Sequence, residues 1–424
     1  MTEARLAVWL GEERIGTLWR APAGELRFAY LPGYREREVA VPLSLSLPLH
    51  HEGDFIEGAA RLFFANLLPE GRQRELIARY YGLSPGNDFG LLQEIGGDCA
   101  GAVSLLPEDE APPAAGQGYR PLDRAGLQAV VQGLPRHPLL VGDAEARLSL
   151  AGAQAKLPIW YRDGAFAIPI GGPSTHILKR PIAGPDAEGL SGSVHNEAFV
   201  MRLAGEIGLS VPRVEVLDLE PMVLLVERYD RTVDAVGRLQ RVHQEDFCQA
   251  LGYSPERKYE ADGGPRLADV FSQVRRSVLP PVQAVGALLD WVLFNYLVGN
   301  ADAHAKNVSL LLLPGGPRLA PFYDLLSTAA WDTLTTRLAM KVGGEARPEW
   351  VRARNWQRFA QESDLARRLV RDRLHAMAER LPERAGAVRT RLEAEAGSHP
   401  VMDRIEAVIA ARCRWALVQW GESA

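Results

Sequence analysis

Cysteine is scarce in this chain: three in 424 residues, Cys99, Cys248 and Cys413, with no Cys-x-x-Cys pair. That excludes a zinc site or redox motif built on such a pair. An odd, widely spaced set also argues against a disulfide framework and for a reducing compartment. Positive charge is not in excess either. The formal net charge is −5, so no global basic field draws the chain to nucleic acid or an anionic membrane. No apolar run reaches the roughly 20 residues of a membrane span. The longest, 284–299, is interrupted by Asp290 and Asn295. Met1 to Arg5 has no apolar segment of the secretory kind. The expectation is a cytoplasmic protein with no membrane partner. Present instead are 47% hydrophobic and 24% charged residues, an ordinary composition for a well-cored chain. At about 150 residues per domain the length predicts two to three domains.

Residues 5–50 read as strands. Ala4 to Leu10 and Ile15 to Trp19 flank a short polar turn, a hairpin pattern. Leu43, Leu45, Leu47 and Leu49 alternate with Pro42, Ser44, Ser46 and Pro48, which predicts an edge strand. Helical periodicity takes over in 61–68 and 70–81, split by Pro69 and stopped by Gly82. Residues 108–119 are acidic, then Pro/Gly/Ala-rich, and read as a linker. From 145 to 230 strands return around one helix at 193–207. Beyond 240 helices dominate, at 244–251, 267–274, 283–298 and within 350–421, with a β-rich interruption at 307–323. The stretch 351–393 holds 11 Arg and 6 acidic residues. Its surplus reads either as a solvated helical face with internal ion pairs or as a docking face for phosphate or an acidic partner.

Four features carry chemistry. Leu148 to Lys156 is a small-residue turn, in which Ala151, Gly152, Ala153, Gln154 and Ala155 let backbone N–H groups approach an anion. It matches neither a Walker loop nor G-x-G-x-x-G, and a plain hairpin is the alternative. Lys179 ends an apolar run, where a lysine needs a partner or a ligand unless the strand is an exposed edge. Glu197, in the first turns of the helix that follows, can pair with such a lysine or simply favour the helix dipole. Asn300 to Asn307 is a polar loop between two apolar elements, and Asp302 to Asn307 has the D-x-x-x-x-N spacing of a kinase catalytic loop. His304 and Lys306 add donors within it; Ala305 lies between them. Pro321-Phe322-Tyr323-Asp324 places a second carboxylate after a strand, and with Asn307 it supplies hard oxygen ligands suited to Mg2+. Between the second and third features, Val223 to Val226 is apolar and ends abruptly in Glu227, Arg228, Tyr229 and Asp230. Sequence leaves open whether this is an adenine-binding hinge or a strand leaving the core.

These runs, with Asn66-Leu-Leu-Pro69, Glu94-Ile-Gly-Gly-Asp98, Val226-Glu-Arg-Tyr-Asp-Arg231 and Lys258-Tyr-Glu-Ala-Asp-Gly-Gly-Pro265, resemble the HipA family over nearly the whole chain. That family comprises the serine/threonine-kinase toxins of HipBA toxin–antitoxin modules. The resemblance implies ATP and Mg2+ as cofactors and Asp302 as catalytic base. Asn307 and Asp324 would hold the metal. ATP contacts would come from 151–156, Lys179, Glu227 to Tyr229, His304 to Asn307, Tyr323 and Asp324. Ser149 would be the autophosphorylated serine whose modification displaces the loop and switches the kinase off; without the resemblance it reads as an outward strand serine. Implied partners are a dimeric helix-turn-helix antitoxin of the HipB type, operator DNA mainly through that antitoxin, and a protein substrate such as an aminoacyl-tRNA synthetase. Ala155 departs from the acidic residue of the best-known member.

The expected fold is α+β, two-lobed and kinase-like. The expected divisions are an N-terminal subdomain at 1–107, a linker at 108–119, a β-rich N-lobe at 120–232 and a helical C-lobe at 233–424. Alternatives are a small-molecule kinase, since such enzymes reuse D-x-x-x-x-N, and a non-catalytic co-repressor acting with an antitoxin on DNA.

Overall fold

The computed structural model describes residues 4–51, 53–55, 57–113, 117–143, 145–183 and 189–421, so 114–116 of the expected linker lie outside it. The chain forms two compact units. The first comprises residues 1–180, 219–255 and 310–317, the second 181–218, 256–309 and 318–424. These units cut the chain along other lines than the expected divisions: residues on both sides of the 108–119 linker share the first unit, while 181–218 belong to the second.

The first unit opens with β1 (Arg5–Leu10), β2 (Glu13–Arg20) and β3 (Leu26–Tyr30). Helices α1 (Pro32–Arg35), α2 (Glu57–Phe64), α3 (Gly71–Tyr80) and α4 (Asp88–Ile95) lead to β4 (Val103–Pro107). The strands form an antiparallel sheet in the order β3-β2-β1-β4. Phe28 on this sheet meets the Phe64 ring of α2 edge-on at 5.5 Å, one of several aromatic contacts closing this core. Then come β5 (Tyr119–Leu122), α5 (Arg124–Gly133), β6 (Lys156–Arg162), β7 (Ala165–Pro169) and β8 (His176–Lys179). The chain passes through α6 (Ser193–Glu206) and β9 (Val214–Leu217) of the second unit and returns as β10 (Val223–Glu227). Within the first unit the antiparallel order is β5-β7-β6-β8-β10. The apolar run Val223 to Val226 is buried throughout.

Two expected elements take another form. Leu43 to Leu49 is not an edge strand. Its backbone bonds side chains rather than a neighbouring strand: Leu43 N donates to Tyr30 Oη at 2.7 Å and Tyr30 Oη donates to Leu47 O at 2.6 Å. Leu43 and Leu47 are the buried pair, four residues apart. Gln244 to Leu251 is not one helix. Gln244–Asp246 is a strand, and α7 (Phe247–Leu251) starts only where Asp246 and Gln249 form a capping box.

The second unit is mainly helical, with α8 (Leu267–Ser277), α9 (Pro281–Val298), α10 (Ala353–Glu362), α11 (Arg367–Ala396) and α12 (Pro400–Gly421) beside α6. By length and composition α9 could cross a membrane, but it is mostly buried and packs against α8, α11 and α12. Its Asp290 pairs with Arg373 at 2.5 Å. The buried residues of α11, from Val370 through Leu374, Ala378, Leu381, Ala385 and Val388 to Leu392, form one stripe. The arginines of 351–393 mostly meet acids: Arg358 with Glu362, Arg368 and Arg371 with Asp372, Arg389 with Glu393, Asp403 and Glu406, and Arg391 with Glu206. These pairs favour the solvated-face reading.

Candidate active site

Each unit carries one group of the candidate residues. In the first, the small-residue turn is laced to the N-terminal block by backbone bonds. Asp98 and Leu148 form a parallel bridge, Ser149 N donates to Asp98 O at 3.0 Å, and Glu70 N donates to Gly152 O at 3.1 Å. Ser149 is fully buried, and its hydroxyl donates to Leu67 O at 2.8 Å; it is not an outward strand serine. Gly152 sits at φ +104°, a backbone conformation that favours glycine at this turn. Lys156 Nζ donates to Ala151 O at 2.8 Å and Gln154 Nε2 to Arg180 O at 2.7 Å. On paired antiparallel strands Lys156 stands directly opposite Lys179. Like charges so placed repel, and an anion between them would reverse the sign.

At the end of β10, Glu227 is exposed while Arg228 turns inward. The Arg228 guanidinium donates to both carboxylate oxygens of Asp230, at 2.9 and 2.7 Å, to Ser174 Oγ at 2.9 Å and to Cys99 O at 3.0 Å. Arg231 and Arg241 each reach Asp98 Oδ1 at 3.1 Å. Burial pushes the Asp98 carboxyl up, but Arg241, Arg231 and Arg228 outweigh it and hold it below the ordinary range. Asp230 is likewise held at about 2 by Arg228 and Arg231 against burial. So Arg228 can offer a nucleotide only its backbone. Tyr229 donates its hydroxyl to Gln244 Oε1.

In the second unit, α9 ends at Gly299, φ +75°, where a Cβ would strike Val408 and Ala329 at 2.6 and 2.8 Å. That left-handed cap turns the chain into the polar loop. Thr328 Oγ1 accepts from Ala301 N at 2.7 Å and donates to Gly299 O at 3.1 Å. Asn300 receives Asp302 N at 3.1 Å and is itself tied to Asn295 at 2.7 Å. His304 N and Asn307 Nδ2 both donate to Asp302 O, at 2.8 and 3.0 Å, closing the D-x-x-x-x-N loop on itself. The Asp302 carboxylate keeps 43% of its side-chain exposure. His304, Ala305, Lys306 and Asn307 are buried beside it. Tyr323 Oη donates to Lys306 O at 2.5 Å and accepts from Ser309 Oγ at 2.7 Å. The residue before Asp324 is therefore pinned to both flanks of Asn307. Asp324 itself has φ +58°, uncommon for a non-glycine residue. Glu197 is buried in α6 next to Asn196, which exchanges two hydrogen bonds with the Ser327 backbone at 2.7 and 2.9 Å. Lys179 and Glu197 belong to different units.

No cluster of three or more His, Cys, Asp or Glu side chains forms a metal site among the described residues. A Mg2+ ion shared with nucleotide phosphates needs fewer protein ligands. Asn307 spends its Nδ2 on Asp302 O, which leaves its amide oxygen for a cation, and Asp324 adds a carboxylate. The donor set fits a hard ion.

Sequence reading passed over Tyr259, whose hydroxyl donates to Asp302 Oδ1 at 2.7 Å. Lysine usage carries a signal. The chain has 43 Arg but five Lys: 156, 179, 258, 306 and 341. Three are candidate residues. Lys258 lies 5.5 Å from the Tyr259 ring, and Lys341 Nζ is 3.5 Å from Glu260. Where arginine serves for general charge, a lysine marks places that want a compact ammonium.

Comparison with known proteins places this arrangement. The family model described as HipA-like C-terminal domain matches residues 148–385, and that described as HipA N-terminal domain matches 6–106. A protein of Sinorhizobium fredii (strain NBRC 101917 / NGR234) named "Putative kinase Y4mE" is 47% identical over 88% of this chain and 89% of its own length. The serine/threonine-protein kinase toxin HipA of Shewanella oneidensis (strain MR-1) is 33% identical over 89% of this chain and 88% of its own. A solved Shewanella oneidensis complex of HipA, HipB and its operator DNA superposes with a TM-score of 0.83, at 31% identity, covering 98% of each chain.

Proposed function

Since this chain belongs to the HipA family and is a kinase, we propose that it is the ATP- and Mg2+-dependent serine/threonine-protein kinase toxin of a toxin–antitoxin module. The observation that carries the reading is the closed loop from Asp302 to Asn307, with a half-exposed carboxylate at its head and an amide oxygen at its foot. Asp302 takes the proton of the acceptor hydroxyl as that oxygen bonds the γ-phosphorus. The electrons of the broken bridging P–O bond leave with ADP. Lys156 and Lys179 bind phosphate oxygens, and Asn307 and Asp324 would hold Mg2+, which would supply charge neutralisation. A HipB-type helix-turn-helix protein is the antitoxin, and operator DNA is met mainly through it. The substrate is a translation component such as an aminoacyl-tRNA synthetase. Ser149 is the site of self-inactivation. A phosphate does not fit where its buried hydroxyl now bonds Leu67 O, so modification requires residues 148–153 to leave their seat.

The test is incubation of the purified chain with labelled ATP and Mg2+ beside an Asp302→Asn control. Label should enter the wild type, and the variant should be slower by about 10²–10⁴-fold, the usual worth of a general base. A variant at the wild-type rate would reject the assignment. A phosphoproteome taken after brief induction, against the same control, identifies the substrate.

A further inference from the structure

We infer that Tyr259 is a positioning residue for phosphoryl transfer, holding one oxygen of the Asp302 carboxylate so that the other faces the acceptor hydroxyl. The inference rests on Asp302 being the base. A carboxylate on a short side chain turns freely about its last bond unless something fixes it, and a misaligned base loses rate steeply. Tyr259 supplies the fixing bond: its hydroxyl donates to Asp302 Oδ1 at 2.7 Å, and bonds to a charged acceptor are the stronger kind. With Oδ1 occupied, Oδ2 is the oxygen that receives the proton.

The turn carrying Tyr259 is itself tied to the catalytic loop. Tyr259 O accepts from Asp262 N at 3.1 Å and Gly264 N at 2.9 Å, curling residues 259–264 tightly. Glu260 N donates to Ala339 O at 3.0 Å, and Ala339 N donates to Ala301 O at 2.9 Å. This backbone bridge ends on the residue next to Asp302. Lys341 N donates to Glu260 Oε2 at 2.6 Å, bracing the bridge from the other side. The Tyr259 ring stands edge-on to His304, centroids 5.2 Å apart at 79°, and His304 Nε2 lies 3.9 Å from Asp302 Oδ1. Ring and hydroxyl thus act on the same loop but through separable contacts. Phenylalanine keeps the ring contact and deletes the bond to the carboxylate.

Tyr259→Phe, Asp302→Asn and wild-type full chains are compared for self-labelling with ATP and Mg2+, ATP KM and melting temperature. The expected result for Tyr259→Phe is a rate at saturating ATP lower by about 10- to 100-fold, the scale of a hydrogen bond to a charged group, with KM and melting temperature unchanged. If Asp302→Asn is inactive while Tyr259→Phe runs at the wild-type rate, the role of Tyr259 is refuted and the base assignment stands. If Asp302→Asn keeps the wild-type rate, both fall. A Tyr259→Phe chain that loses rate, ATP affinity and melting temperature together has a structural tyrosine, and the positioning role is wrong.

Discussion

In the first unit the side chains of Asp98, Asp230, Arg228, Arg231 and Arg241 are almost wholly buried and ion-paired with one another, though Arg241 Nε finds no partner, whereas in the second Asp302 keeps 43% of its side chain in solvent and its loop is held by neutral donors and backbone. Both sets sit in motif runs dense with charge. Only one leaves its carboxylate open to solvent. Each of the two buried carboxylates is already claimed by two or more arginines, and removing one strands them. A carboxylate at the surface, fixed by a tyrosine, retains a free valence for a proton. Charge density in a motif therefore does not by itself identify a site.

That contrast breaks most visibly in a swap of readouts. Asp302→Asn should lose nearly all transfer yet melt like the wild type. Asp98→Ala should lose about 3–5 kcal/mol of unfolding free energy, the scale for orphaning a buried ion-pair partner, measured by urea denaturation. A stable Asp98→Ala chain would mean the network does not hold the first unit together. Next in size, Asn307→Ala and Asp324→Ala should each weaken ATP binding about 10-fold or more with Mg2+ present and little without it. Calorimetry decides, and equal loss with and without metal moves the ion elsewhere.

A chain phosphorylated at Ser149, confirmed by mass spectrometry, should bind ATP more weakly than unmodified Asp302→Asn protein. The added charge of about −1.5 to −2 repels the phosphates and cannot be housed in the buried seat. Unchanged affinity would end the switch while leaving the kinase.

The smallest effect sharpens the contrast within the first unit. Glu245 is fully buried, accepting from Ser44 Oγ at 2.5 Å and Leu45 N at 3.0 Å, without an arginine partner. Burial drives its carboxyl from 4.5 up to about 8, against the bonds from Ser44 and Leu45 and with help from Asp246. The folded state therefore holds a proton that the unfolded state releases between those values. Its contribution to stability is full below 4.5 and is lost as pH rises through 8. Glu245→Gln should match the wild type near pH 4.5, exceed it increasingly up to pH 8 and hold a constant advantage above. A difference independent of pH would show that Glu245 is ionised in the folded chain.

Much of the fold was legible. Apolar runs about a short polar turn marked β1 and β2, an all-apolar run marked β10, and helical periodicity stopped by Gly82 marked α3, because such patterns report which faces are buried. Leu43 to Leu49 misled for the same reason. Alternation says that every second residue faces inward, but Pro42 and Pro48 and the bonds to Tyr30 make a docked loop of it. The head and foot of the proposed catalytic loop, Asp302 and Asn307, stand at the D-x-x-x-x-N spacing, and a six-residue loop brings its own ends together.

What the sequence determined by itself was therefore local: elements, caps, the D-x-x-x-x-N loop, and, through relatedness, the family. Tertiary structure alone decided which charges are spent and which are not. The inward turn of Arg228, the burial of Ser149 against Leu67, Lys156 set opposite Lys179 and the reach of Tyr259 to Asp302 all join residues between about 20 and 130 positions apart. No periodicity spans such distances. Only a packed core, by fixing which backbones lie side by side, sets the few ångströms on which a hydrogen bond depends.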